Sequence, residues 1–99
     1  TTEIYTLSLH DALPIWVSIG SLNQAIVHPR EVFKTACLSN AAAILLVHNH
    51  PTGDPNPSSE DIAITKRLKE SGDILGIRVL DHIIVGDDEF LSFVEQGLL

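Results

Sequence analysis

Two histidines, His48 and His50, stand two positions apart at the end of the apolar run Ala41 to Val47, and an acidic residue, Asp61, follows them across a loop rich in Pro, Gly and Asp. Residues i and i+2 of an extended strand project to one face, so both imidazoles can reach a single cation at about 2.0–2.1 Å. The loop from Pro51 to Pro57 is short, and its prolines limit the ways it can turn back. Asp61 then falls in the first turn of the following helix, where its carboxylate could supply a third ligand. Two neutral nitrogens, one carboxylate oxygen and an open fourth position make up the donor set of a catalytic zinc site, in which water loses its proton near pH 7. Each residue also has a plainer reading. A His-x-His pair is commonly two hydrogen-bonded histidines, Asp61 can answer the helix dipole, and Ser58 can be a helix cap and nothing more. The residue pattern alone leaves both readings open.

The elements that must position these residues follow from periodicity and turn residues. Ala42 to Val47 is a continuous apolar run ending in polar residues, which predicts a strand buried on both faces. Ser58 can cap the next helix, with Asp61 answering three residues on as in a capping box. That helix should run to about Ser71, with Ile62, Thr65, Leu68 and Lys69 on or beside its inner face and Gly72 near its C-cap. Upstream, His28-Pro29-Arg30-Glu31 opens a helix, because Pro at the first helical position loses only an N–H that had no partner. Val32, Phe33, Ala36 and Cys37 form its apolar stripe, and Asn40 can close it.

Downstream, Ile77 to Val85 is strand-like, Gly86-Asp87-Asp88-Glu89 is a hairpin turn, and Phe90 to Phe93 returns as a second strand. A short strand is expected around Trp16-Val17-Ser18-Ile19, ending in the turn Gly20-Ser21-Leu22-Asn23. Residues 1–15 have weak periodicity and end in Leu13-Pro14, and no element is built on them.

Bulk properties bound the function. At 99 residues, 44% of them hydrophobic and 19% charged, the chain fits one domain with a modest core. Its net charge of -7 opposes binding to a phosphate backbone, so direct nucleic-acid binding is not expected. Lys66, Arg67 and Lys69 with Arg78 form a small basic patch that reads as a solvated face. The single cysteine, Cys37, cannot form an internal disulfide, and its place in an apolar helical pattern suggests a small buried thiol in a reducing compartment. The longest apolar run is far short of the roughly 20 residues that cross a bilayer, and no secretory signal is evident, so a cytoplasmic, membrane-free protein is expected.

The order His48-Asn49-His50, then the seven residues Pro51 to Pro57, then Ser58-x-x-Asp61, resembles the H-x-H-x7-S-x-x-D core of the JAMM motif. The surroundings resemble RadC-family proteins in Gly20-Ser21-Leu22-Asn23, Val27-His28-Pro29-Arg30-Glu31-Val32, Asn40-Ala41-Ala42, Gly53-Asp54-Pro55, Glu60-Asp61-Ile62 and Val79-Leu80-Asp81-His82. The likeness covers about Val17 to Leu99, so the expected organisation is a partial RadC-like JAB/MPN domain over 16–99, preceded by a non-family segment, 1–15, that resembles translated sequencing-adapter sequence.

The resemblance implies an α/β fold of the MPN/JAB1 type, similar to cytidine deaminases: a sheet flanked by helices, here with its first strand missing. It implies one Zn2+ held by His48, His50 and Asp61, and a catalytic role for Ser58 in binding the oxyanion or the metal-bound water. The implied activity is a metallopeptidase acting on a peptide or isopeptide bond of a protein substrate. The alternative is a non-catalytic accessory module of a DNA repair or recombination protein. Family members also carry a general-base glutamate upstream of the Gly-Ser-Leu-Asn turn. Trp16 stands at that place, and the acidic alternatives, Glu3 and Asp11, are not at the family's spacing, so the chain is expected to bind zinc yet hydrolyse poorly. Asp81-His82 reads as a structural pair rather than an outer support of the metal.

Overall fold

The computed structural model describes the backbone of residues 3–10, 13–21, 29–50 and 52–99, and the side chains of 29–50 and 52–99. Its elements are β1 (Glu3–His10), β2 (Leu13–Ser21), α1 (Pro29–Leu38), β3 (Ala43–Asn49), α2 (Ser59–Leu75), β4 (Arg78–Val85) and β5 (Phe90–Ser92). The strands form one sheet in the order β2-β1-β3-β4-β5. β3 runs antiparallel to β1 and parallel to β4. A parallel neighbour needs a crossover, and α2 supplies it. The result is a small α/β domain with the expected sheet and helices.

The helices and the sheet share one core, formed by Val32, Phe33 and Ala36 of α1, Ile44 and Leu46 of β3, Ile64 and Leu68 of α2, and Ile77. Ile44, Leu46 and His48 alternate along β3 and are all buried, whereas Leu45 and Val47 on the opposite face are half-buried. The expected burial of this strand on both faces therefore holds fully only on the helix side. Apolar side chains on both faces still suit a central strand with neighbours at either edge.

α1 begins at Pro29 as expected and ends before Asn40, whose φ of 58° is the left-handed cap conformation. Cys37 corrects the expectation of a buried thiol, because it is exposed. The buried stripe is centred on Val32, Phe33 and Ala36, and position 37 lies one further step of about 100° around the helix, at its margin.

α2 runs four residues beyond the expected end, to Leu75. Two glycines four apart explain the difference. Gly76, with φ 75°, is the true cap and donates its N–H to the Gly72 carbonyl. Gly72 lies inside the helix because a β-carbon there would collide with the Ile77 carbonyl. The inner face also shifts: Asp61, Ile64, Thr65, Leu68 and Gly72 are buried, while Ile62 and Lys69 are exposed. Ile62 is displaced because the buried stripe starts at Asp61, a charged residue that an apolar count passes over.

The Gly86 to Glu89 turn closes with the Gly86 N–H donating to the Glu89 carbonyl at 2.8 Å, and β5 returns antiparallel to β4. The larger departure is at the amino terminus. Glu3–His10, which showed no strand pattern, pairs with β3 from Ile4–His48 to Leu9–Ala43, and β2 extends the Trp16 strand back to Leu13. Leu22 to His28, and with them part of the expected turn and His28 itself, lie outside the described residues, as does Asp11. Among the described residues no helix is long and apolar enough to cross a membrane.

Candidate metal centre

β3 carries His48 onto the helix-covered face, where it is 1% exposed. One residue beyond the strand, the His50 N–H still donates to the Val85 carbonyl at 3.0 Å, so the backbone stays extended and the second imidazole follows the first. The chain then turns: the Gly53 N–H donates to the His50 carbonyl at 3.0 Å, and Gly53 has φ 86°. The turn after β4 lies against this loop, with the Asp87 N–H donating to the Gly53 carbonyl. Gly86 must be glycine, because a β-carbon would run into that same carbonyl.

The third side chain is fixed by the start of α2. Ser58 Oγ accepts the Asp61 N–H at 3.0 Å, and Asp61 Oδ2 accepts the Ser58 N–H at 2.9 Å, which is a complete capping box. This device buries Asp61, 2% exposed, with its carboxylate toward the histidines. Asp61 Oδ2 lies 3.1 Å from His50 Nε2, and Oδ1 lies 3.7 Å from His48 Nδ1. One ligand atom from each of the three residues falls within 4.8 Å of the others. Tetrahedral bonds of 2.0–2.1 Å require donor separations of about 3.4 Å, so the cluster is close to a closed ligand set.

The donor chemistry fits a cation. The His50 Nδ1–H donates to the Asp54 carbonyl at 2.8 Å, which assigns the tautomer and leaves the Nε2 lone pair facing a carboxylate oxygen. Two electron-rich atoms at that distance repel unless a proton or a metal lies between them. His48 is more telling: among the described residues neither of its buried ring nitrogens has a hydrogen-bond partner. Buried polar atoms are paired in the great majority of cases, and a metal ligand is a ready explanation for an exception. Burial lowers the His48 pKa from 6.5 to about 4, with Asp61 opposing the shift and His50 adding to it. The ring is therefore neutral at pH 7, the form that ligates.

Beneath this cluster lies a residue that the sequence pattern favoured as purely structural. His82 is fully buried, stacked on Phe93 on one side and His48 on the other, with its Nδ1 2.6 Å from Thr65 Oγ1. Burial, then the neighbouring His48, lower its pKa to about 4. Its neighbour Asp81 points the other way and does serve structure, accepting from the His82 and Val94 N–H groups and from the Ser92 hydroxyl. Thr65 was expected only as an inner-face residue. The signal that could have singled it out is its spacing, one helical turn after Asp61.

The sheet also fixes the backbone position of Trp16, the residue that stands where the resemblance expects a carboxylate. Trp16 pairs with Leu7, which pairs with Leu45, so β1 separates β2 from the histidine strand. Leu45 precedes His48 by three residues, about 10 Å along a strand, and Trp16 stands two strands, again about 10 Å, from β3. Glu3 lies at the other level: its neighbour Ile4 pairs with His48. By backbone position Glu3, not Trp16, marks the metal end of the sheet.

Comparison with known proteins agrees with this architecture. Residues 14–98 match the RadC-like JAB domain. Over 85 residues, 86% of this chain, it is 73% identical to a UPF0758 protein of Pelobacter propionicus, 71% identical to one of Geobacter sulfurreducens and 68% identical to one of Geotalea uraniireducens. The chain spans 37% of the length of each of these relatives. The matched segment starts after β1 and contains every member of the His-His-Asp cluster, and the chain belongs to the family of RadC-like JAB domains.

Proposed function

We propose that this domain binds one zinc ion through His48, His50 and Asp61 and hydrolyses a peptide or isopeptide bond in a protein substrate. The observation that carries the reading is His48: a neutral imidazole, 1% exposed, with both nitrogens unpartnered beside a buried carboxylate. Two imidazoles and one carboxylate suit Zn2+ better than Mg2+ or Ca2+, which prefer all-oxygen shells. When bound, the ion would supply Lewis-acid activation of water and of the scissile carbonyl.

The chain's own residues supply the rest. The capping box holds Asp61 by two backbone bonds, so the third ligand is oriented before any metal arrives. The Asp54 carbonyl holds the His50 tautomer. Ser58 uses its oxygen lone pair on the Asp61 N–H, which leaves its hydroxyl proton available to a developing oxyanion. The net charge of -7 weighs against duplex DNA as the ligand.

Metal analysis of the protein, reconstituted with excess zinc and stripped of loose metal, tests the ligand set. One equivalent is expected, and His48→Ala should lose it. Less than about a fifth of an equivalent in the unmodified chain would remove the basis for a three-ligand site. Zinc-dependent cleavage of a peptide or isopeptide substrate, abolished by chelator and restored by zinc, tests the reaction.

A further inference from the structure

Thr65 Oγ1 makes two contacts and has one proton. It donates to the Asp61 backbone carbonyl at 2.7 Å and lies 2.6 Å from His82 Nδ1. With its proton committed to the carbonyl, the hydroxyl oxygen must accept, so His82 carries its proton on Nδ1. His82 Nε2 is then a bare acceptor, and it has no partner among the described residues although it is fully buried. A ring with an unpaired buried nitrogen is a poorer core residue than phenylalanine, because leaving such a group unsatisfied costs its full desolvation. Stability of the core gives no reason for histidine at this place.

Orientation does. The His82 ring is held between Phe93, at 4.6 Å and 23°, and His48, at 5.7 Å and 27°. Stacking fixes its plane, and the bond to Thr65 fixes its rotation within that plane. Among the described residues His48 has no hydrogen bond to set its ring, so ring packing does so: His82 lies near-parallel to it at 5.7 Å and His50 edge-on at 4.6 Å. The same hydroxyl grips the backbone of Asp61. One side chain thus connects the residue of the carboxylate ligand to the ring behind the first histidine.

We infer that Thr65 and His82 are positioning residues of the metal centre, setting the His48 ring and the first turn of α2 in the geometry that binds the cation. The inference rests on the ligand assignment to His48, His50 and Asp61. Outer supports of this kind are worth about 10–100-fold in metal affinity.

The test uses Zn2+ competition titrations, Co2+ absorption spectra and imidazole 15N spectra of the metal-free chain. In the metal-free wild type His82 should be the Nδ1–H tautomer, and Thr65→Val should shift it. Thr65→Val should weaken Zn2+ binding by about 10–100-fold and alter the Co2+ bands, while Thr65→Ser restores both. His82→Phe keeps the stack and removes the unpaired nitrogen, so its unfolding midpoint should match or exceed wild type while its affinity falls over the same range. Wild-type affinity and Co2+ spectra in both Thr65→Val and His82→Phe would overturn the positioning role, as would an Nε2–H tautomer in the wild type. A wild type that shows the Nδ1–H tautomer but binds neither metal would overturn the ligand assignment, and the positioning role with it.

Discussion

The two ends of this molecule that meet at the candidate site are held by different means. At the carboxyl end of β3 and the start of α2, each donor is set by partners close in sequence or by strand geometry: the capping box spans three residues, the Asp54 carbonyl is four residues from His50, and His48 and His50 follow strand alternation. In the β1–β2 hairpin nothing local marks a functional residue. Glu3 reaches the level of His48 only through the pairing of Ile4 with a strand more than forty positions away. Local devices are legible in a sequence, and long-range register is not.

The sharpest way to break this comparison is to change the hairpin and leave the ligands alone. Ile4→Glu, which sets a carboxylate opposite His48 in the register, should raise turnover by about 10²–10⁴-fold, the usual worth of a general base, with zinc content unchanged. Trp16→Glu should leave both turnover and zinc content as they are, because β1 stands between it and β3. A matched zinc titration and peptidase assay reads both variants. No gain in Ile4→Glu, or a gain in Trp16→Glu, would show that register is a poor guide to this end of the sheet.

The same contrast explains what could be read in advance. The placement of His48, His50, Asp61 and Ser58 was legible because their spacing repeats the constraints of a strand end, a short proline-limited loop and a capped helix, whereas their roles came from the resemblance to the JAMM motif, since the spacing alone left both readings open. The helix and strand of the β3-α2-β4 unit were identifiable from apolar periodicity. Gly72 and Gly76 were not separable, since one serves close approach and the other a left-handed cap, and only the folded neighbours distinguish them. His82 was seen but undervalued, because the ring it stacks against and the hydroxyl it meets lie 34 and 17 residues away. Cys37 was misjudged by a single position at the edge of a stripe.

A second prediction concerns the buried imidazoles that the local devices surround. His48 and His82 have folded pKa values near 4, against 6.5 in an unfolded chain. Between those values the unfolded state binds protons that the folded state refuses, so the metal-free domain should lose stability as pH falls from about 6.5 and stop losing it near 4. The loss should be on the order of 3 kcal/mol for each ring. Denaturant midpoints at pH 7.5, 5.5 and 4.5 measure it, and His82→Phe should reduce the slope. A midpoint constant across that range would show that these rings are not held neutral.

A smaller effect separates close approach from capping within α2. Gly72→Ala forces a β-carbon into the Ile77 carbonyl and should cost about 1–3 kcal/mol. Gly76→Ala meets open space but must keep φ 75°, and should cost about 1–2 kcal/mol. Zinc stoichiometry should survive both changes, since each lies at the far end of the helix from Asp61. Loss of metal in Gly72→Ala would mean that the helix moves as a rigid body and that the local capping box does not suffice to place the carboxylate.

The smallest stability effect tests whether Ser58 belongs only to the fold. Ser58→Ala removes the cap and should cost about 1 kcal/mol, whereas Ser58→Gly should cost only a few tenths, because glycine is a tolerated N-cap. Both variants also remove the hydroxyl proton. If Ser58 is a cap alone, turnover should track the cap: Ser58→Gly should keep most of it, and Ser58→Ala should fall in step with stability and zinc affinity. If the hydroxyl also donates to an oxyanion, both variants should lose about 10²–10³-fold in kcat, the measured worth of one such donor, although Ser58→Gly unfolds at nearly the wild-type midpoint. The second pattern is the one expected, because the Asp61 N–H occupies the oxygen of Ser58 and leaves its proton unused. Nearly full turnover in Ser58→Gly would confine the residue to the helix start, and the chemistry of the described residues would then rest on the metal ligands alone.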